Sequence, residues 1–481
     1  MMMRLKCAYC YVFLFFVGLC PAFADYPVDP ESPVKWVKPD TFDCRKPDMG
    51  LPVLKCASHS FLFDPQEDEG VNGQYKSTHH GTYSHHSWIT LYKNYFIVTW
   101  TNHLQDENGP GQRILAKLGV VSDDKSDVIW GGDETVFEVC PPPHPAKRRR
   151  EVDDNDIIDS IYVNGGFSVI NGRLFMEASL GFCDGWTDSV PVRVGNLNNY
   201  VPSEHYGTKC DTKTGWNWDI FWKLDTTYVQ EWSVTDGVLR PITPLYRKGA
   251  NVPNEIRITE KLTKKILPLN SYYNDAIPFE QSPEDFQAAL KGQRDWPPAR
   301  SILMEPGKER YAANGSNGLA HKTQYIRRDG VAVMIADNLM DDGSKAVPYG
   351  STATYYASIR QPSESYFKAP WKTNLFGAAQ AVSGELPDGS NWLVGSNLER
   401  TKLYLATSPD GITFDRTWSL ITMNKKGQPG VCKGGNGPQY PVAVTIGDNI
   451  WIVYSVYKQW IGVTKIPVKP LLRTNDVDKD K

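Results

Sequence analysis

The stretch HHGTYSHHSWITLYKNYFIVTWTNHLQDENGPGQR, residues 79–113, decides how the chain is read. Two apolar runs, Trp88 to Tyr92 and Tyr95 to Trp100, flank Lys93-Asn94 and read as a β-hairpin, because β-branched and aromatic side chains suit a pleated, half-buried surface. The same stretch holds five of the nine histidines: His79, His80, His85, His86 and His103. A hairpin anchored in a core brings its open ends together, so His86 on the way in and His103 on the way out are expected as neighbours. Adjacent residues of a strand point to opposite faces, so in the run His79, His80, His85, His86 only alternate members are expected to converge.

Outward from this hairpin the same pattern recurs. Tight turns fall at Lys93-Asn94, Asn171-Gly172, Asp236-Gly237, Asp329-Gly330, Asp388-Gly389 and Gly447-Asp448. Four are Asn-Gly or Asp-Gly, the dipeptides that most readily supply the positive φ of a type I′ turn. The strands that follow look alike: YFIVTW, RLFMEASL, VAVMIAD, NWLVGS and NIWIVYS. Successive turns lie roughly 60 to 90 residues apart, the mark of one repeated supersecondary unit. Small antiparallel sheets bury both faces when packed radially, so the expected fold is all-β, a β-propeller of six (alternatively seven) four-stranded blades. Two stacked sandwiches are the competing architecture.

Three stretches break the pattern. Residues 141–156, PPPHPAKRRREVDDND, join prolines, a basic run and an acidic cluster that cannot bury apolar surface, so an exposed loop is expected. Its run Lys147-Arg148-Arg149-Arg150 is a candidate processing site ending at Arg150. Residues 282–292 predict a helix: Ser282 as N-cap, Pro283 at the first position, acids in the first turn and Gly292 as stop. The polar tail, 471–481, is expected to be disordered. Asn314-Gly315-Ser316 is the glycosylation acceptor.

Residues 1–24 carry Arg4 and Lys6, an apolar run through Leu19, and Ala22-Phe23-Ala24, which together read as a secretory signal. No later run approaches the roughly 20 apolar residues needed to cross a bilayer. The expectation is a secreted, extracellular, monomeric protein, one propeller domain over 25–470, without a membrane partner. After the signal, cysteines remain at 44, 56, 140, 183, 210 and 432, which in an oxidising compartment predicts disulfides. Cys44 with Cys56 is the expected local bridge. A net charge of -3 argues against a nucleic-acid partner. Aromatics make up 12% of the chain, with 15 tryptophans, and flat aromatic faces stack on sugar rings.

Residues 384–468 add a family likeness. GELPDGSNWLVGSNLERTKLYLATSPDGITFDR and GPQYPVAVTIGDNIWIVYSVYKQWIGVTKIPV resemble the end of a sialidase-like, BNR-repeat propeller. Ser408-Pro409-Asp410-Gly411-Ile412-Thr413-Phe414 is similar to the Asp-box, a turn between the outer strands of a blade, one residue shorter than S-x-D-x-G-x-T-W. The stretch from Ser84 to Arg113 also resembles a first blade of that group. The likeness implies the fold; it does not imply sialic-acid hydrolysis, since the Arg-Ile-Pro segment of true sialidases is missing. It is nearest in character to BNR-like bacterial polysaccharide-degrading proteins such as ulvan lyases, which set His and Tyr against an acidic sugar.

β-Elimination on a uronate polymer needs a base for the proton α to the carboxylate, a cation to neutralise that carboxylate, and an acid for the leaving oxygen. The candidates are His86 and His103 as base or acid, Tyr440 as donor, and Arg113 or Arg400 as carboxylate clamp, with His321 and Lys458 further candidates for the substrate-binding face. Asp106 and Glu107 could serve a glycosidase, but no second acid can be paired with them from the sequence. No cofactor is required; the histidine run offers a weaker zinc option, and a structural Ca or Zn ion remains open. The expected function is a secreted carbohydrate-active protein that binds an acidic polysaccharide and cleaves it by β-elimination. The alternatives are a catalytically silent lectin-like or extracellular-matrix propeller, and a sialidase-like glycoside hydrolase. No motif supports a protease or nuclease.

Overall fold

The computed structural model describes residues 30–64, 83–103, 112–131, 136–140, 160–182, 226–248, 282–291, 321–336, 354–377, 379–397, 400–422 and 437–473, with the short pairs 211–212, 215–216, 277–278, 340–341 and 345–346. Residues 1–24, the loop 141–156 with Arg150, Asp106, Glu107 and Asn314 lie outside the described residues.

Five largely antiparallel sheets of four or more strands dominate. Sheet I joins Tyr83–Tyr92, Tyr95–His103 and Arg113–Val121, whose outer edge pairs with Val128–Trp130 and Val136–Cys140. Sheet II is built on Ser160–Ile170, Arg173–Phe182 and Thr226–Thr235. Sheet III runs His321–Ile326, Ala332–Ala336, Thr354–Arg360, Trp371–Phe376. Sheet IV runs Val382–Glu385, Asn391–Ser396, Lys402–Ser408, Arg416–Thr422. Sheet V takes Pro438–Ile446, Asn449–Val456 and Trp460–Pro467 from the end of the chain, then Ser58–Phe63 from its beginning as outermost strand. That last pairing, Ser58 with Lys465 through Phe63 with Ile461, ties the two ends of the described chain into one sheet.

The first strands of the sheets pack on one another: Tyr83–Tyr92 touches those of sheets II and V, and Val382–Glu385 touches those of sheets III and V. Apolar clusters fill the gaps between neighbours. Phe96, Trp100, Val453 and Ile461 join V to I, Ile114, Phe167 and Met176 join I to II, Tyr325, Leu393 and Phe414 join III to IV, and Leu403, Leu405 and Ile452 join IV to V. The second strands Asn391–Ser396 and Asn449–Val456 are buried along their whole length. That is why they read as near-continuous apolar runs: both faces are covered by neighbouring sheets.

Each sheet therefore has two ends. At one lie the starts of the first strands and the connections from second to third strand; at the other lie the first-to-second and third-to-fourth turns. Asn171-Gly172 and Asp236-Gly237 have both residues at positive φ, as type I′ requires. Asp329-Gly330 and Asp388-Gly389 differ from that expectation. Only the glycine is left-handed, and Gly330 N donates to Arg327 O, Gly389 N to Leu386 O, so each is a longer turn closed by its glycine. The turn at Asp410 has the expected form: its Oδ1 accepts from Ser408 Oγ, Ile412 N and Thr413 N, while Phe414 is buried. The sequence concealed a second such turn. Asp124 Oδ1 accepts from Ser122 Oγ and Ser126 N, with Lys125 at φ 57 where Asp410 is followed by Gly411.

Two further expectations, on Cys44 and on the tail, change, while the expected helix is present. Cys44 is disulfide-bonded and Cys56 is a free thiol, so the local bridge does not form. The helix spans Glu284–Lys291, and packs Phe286 against Phe175 and Tyr246 of sheet II. The tail is ordered through residue 473: Leu471 is buried and Arg473 pairs with Asp415, because a short 3-10 turn at Lys469–Leu471 folds it onto sheet IV. Among the described residues no helix is long and apolar enough to cross a membrane.

Candidate functional site

The end of the sheets opposite the Asp410 turn gathers the chemistry-bearing residues. The first strand of sheet I is bulged between His85 and Trp88, with His86 at φ 52. The first strand of sheet V is bulged between Gln439 and Val442, with Tyr440 at φ 53. A bulge adds a residue and turns the strand locally, which re-aims its side chain. Here it defeats the simple alternation: the rings of His85 and His86 lie 4.3 Å apart on the same side instead of facing opposite ways. Tyr440 stands edge-on to both, at 4.3 Å from His85 and 5.2 Å from His86.

Two cations complete the group. The Arg400 guanidinium lies 5.2 Å from the centre of the Tyr440 ring. Its position follows from Asn397, whose Oδ1 accepts from Thr401 N and Lys402 N and so folds the connection between the second and third strands of sheet IV into a tight loop. Lys458 occupies the equivalent connection in sheet V, is nearly buried, and its carbonyl accepts Ser84 N at 2.7 Å. Arg400 and Lys458 also have left-handed backbones, at φ 55 and φ 57. Tyr457, beside Lys458, is left-handed too at φ 55, so five left-handed non-glycine residues from sheets I, IV and V meet in one place, a concentration of backbone strain of the kind found at functional sites.

The electrostatics are one-sided. Burial, then the charges of Lys458 and Arg400, push His86 down to about 3. Burial, with His86, Lys458 and Arg400, holds His85 well below its ordinary value. Both imidazoles are therefore neutral near pH 7. The charges acting on them are positive, which suits an anionic ligand and disfavours a metal ion. Among the described residues no cluster of three or more His, Cys, Asp or Glu could hold a metal.

The other sequence candidates lie at the same end of their sheets. His103 is buried opposite Tyr83 in the register of sheet I. Arg113 begins the third strand and its Nε donates to Asn102 Oδ1 at 3.2 Å, while Asn102 Nδ2 donates to Tyr83 O. His103 and Arg113 thus lie on the second and third strands of sheet I, one and two strands away from the strand that carries His86. His321 begins the first strand of sheet III, with its side chain outside the described residues. The residue that sequence reasoning missed is His85, fully buried between His86, Tyr440 and Ser455. Its signal was its place beside His86, which strand alternation argued away.

No family model and no curated protein matches the chain. Among solved structures, the chain is similar to a sialidase with a TM-score of 0.55 and 17% identity, over 90% of this chain and 35% of that one. The chain thus spans about a third of that sialidase's length. It is also matched to a mutant of Trypanosoma rangeli sialidase displaying trans-sialidase activity, with a TM-score of 0.38, 8% identity, and coverage of 88% and 61%. A third match is a GH43_1 enzyme from Xanthomonas citri complexed with xylotriose, with a TM-score of 0.32, 8% identity, and coverage of 86% and 91%.

Proposed function

From the sialidase-like β-propeller fold, we propose that this protein is a secreted, carbohydrate-active enzyme that binds a uronate-containing polysaccharide and cleaves it by β-elimination. The ring we infer has six blades, five of them the sheets described above. The observation that supports the activity is the grouping of Tyr440 and two neutral imidazoles beside Arg400 and Lys458. Two cations can neutralise the sugar carboxylate, which makes the adjacent C–H acidic enough to lose its proton. His86 is the base of this reading. Its proton affinity is depressed partly by Lys458 and Arg400, and a bound carboxylate offsets those charges, so the base strengthens when substrate is in place. The proton moves from carbon to the His86 imidazole, the electron pair forms the new C=C bond, and the glycosidic C–O bond breaks. The Tyr440 hydroxyl supplies the proton to the leaving oxygen.

The low proton affinity of His86 in the unoccupied site also favours a second reading, a lectin-like binder of anionic glycans. Incubation with glucuronan, ulvan, alginate and glycosaminoglycans, followed by ultraviolet absorbance of the unsaturated uronate, tests the enzyme directly. The expected result is rising absorbance that Tyr440→Phe reduces by about a hundredfold or more. Binding without any unsaturated product across the panel would establish the lectin, and new reducing ends without unsaturation would establish a hydrolase.

A further inference from the structure

Three buried groups lie between the two bulged strands. His85 Nδ1 is 2.5 Å from Ser455 Oγ, and Ser455 Oγ donates to Gln439 O at 3.4 Å. All three residues are wholly buried. Ser455 comes from the second strand of sheet V, where it pairs with Gln439, whereas His85 belongs to sheet I. The chain of contacts therefore crosses from one sheet to the next. Its two ends are significant: His85 immediately precedes left-handed His86, and Gln439 immediately precedes left-handed Tyr440.

The hydrogen bonds have a direction. Ser455 has one hydroxyl proton; its contact to the Gln439 carbonyl is long, so the direction of the short His85–Ser455 bond is set by the other ring nitrogen of His85. His85 Nε2 is buried with no hydrogen-bond partner, and an unpaired acceptor is better tolerated there than an unpaired N–H. His85 is then the Nδ1–H tautomer, with Nε2 as a bare lone pair.

We propose that Ser455 and His85 are positioning residues: a clasp that locks the bulge of sheet I to the bulge of sheet V and so fixes the separation of His86 and Tyr440. This inference deepens the lyase reading and rests on it for its kinetic consequence, but its structural content does not depend on turnover. Neither residue touches substrate, because both are wholly buried. The clasp explains why two strained backbones persist next to each other: each is held by a bond to the residue before it, and the two bonds share one hydroxyl.

The test uses the full chain with nitrogen-labelled histidine. In the wild type, His85 is expected as a single Nδ1–H tautomer by imidazole nitrogen NMR. Ser455→Ala should convert it to a mixture and lower kcat by about ten- to a hundredfold, the cost of a misplaced reacting pair, with KM changed by less than about threefold. Ser455→Thr, which keeps the hydroxyl, should restore both the tautomer and most of kcat. His85→Gln, with a donor at similar reach, should have a kcat between those of the two Ser455 variants and guards against a folding defect peculiar to Ser455→Ala. The clasp is overturned if Ser455→Ala leaves the tautomer unchanged, or if kcat falls only in proportion to the folded fraction measured by urea titration. Should the wild type turn over no uronate polymer, the lyase reading fails by itself. The clasp is then judged by the tautomer and by sodium glucuronate affinity, which Ser455→Ala should weaken at least threefold and Ser455→Thr should restore.

Discussion

Replacing His86 with Asn should make the protein more resistant to acid. The physical basis is the difference between a histidine ordinary at 6.5 in the unfolded chain and one pushed down to about 3 in the folded site. Between those values the unfolded chain takes up a proton that the folded chain refuses. The stability held by neutral His86 is therefore complete above about pH 6.5 and is lost progressively as pH falls toward 3. Linkage gives a ceiling of about 2 kcal/mol lost at about pH 5 and about 3 kcal/mol at about pH 4. His86 keeps a solvent-facing edge, and screening there brings the expected loss to about 1–2 kcal/mol at about pH 5. Asn is the suitable replacement because it tolerates the left-handed backbone at φ 52 and does not titrate. Urea unfolding of wild type and His86→Asn at about pH 7 and about pH 5 reads the effect, since the cost of losing the ring itself cancels in the difference. His85 is present in both proteins, and because the charge of His86 helps to hold it down, its own pH dependence is no larger in the variant and adds to the difference. Equal pH dependence in the two would refute the assignment of a buried, cation-flanked neutral imidazole at this position.

Asp410→Ala removes an acceptor of three hydrogen bonds and should cost about 2–3 kcal/mol in urea unfolding. Because that turn lies at the opposite end of the sheets from Tyr440, glycan binding per folded molecule should not change; a selective loss of binding would contradict the two-ended topology. Lys125→Gly relieves an exposed left-handed residue in the second turn of this kind and should raise stability by about 1 kcal/mol, a gain that differential scanning calorimetry would detect as a higher Tm. Gly166→Ala should be severely destabilising, by about 2 kcal/mol or more. Its Cβ would fall 2.3 Å from the Trp88 ring at a φ of 82, and a fully stable variant would mean that sheets I and II do not meet there.

Much of the scaffold was legible along the chain because its causes are local. Asn171-Gly172 and Asp236-Gly237 form tight turns through their own backbone preferences, and Asp410 organises its turn with partners within three residues. Continuous apolar runs such as NWLVGS follow from burial on both faces, which any chain buried this way must show. Lys125 hid its turn because lysine ordinarily avoids the conformation that glycine adopts at 411. The alternation rule failed at His85 for a similar reason, since nothing in Ser84-His85-His86-Ser87 announces a bulge.

The sequence by itself determined a repetitive β architecture with paired strands, tight turns and an Asp410 loop of recognisable form, since these depend on residues a few positions apart. It also put histidine, arginine, tyrosine and lysine at strand ends. Only the tertiary structure decided which of them meet. His85, His86, Arg400, Tyr440 and Lys458 come from three sheets, and they approach where two bulges and five left-handed residues meet. Arg400 and Lys458 sit in turns closed by their own loops, whereas the conformations of His86 and Tyr440 lie at bulges where sheets I and V meet, with Ser455 to His85 among the contacts between them.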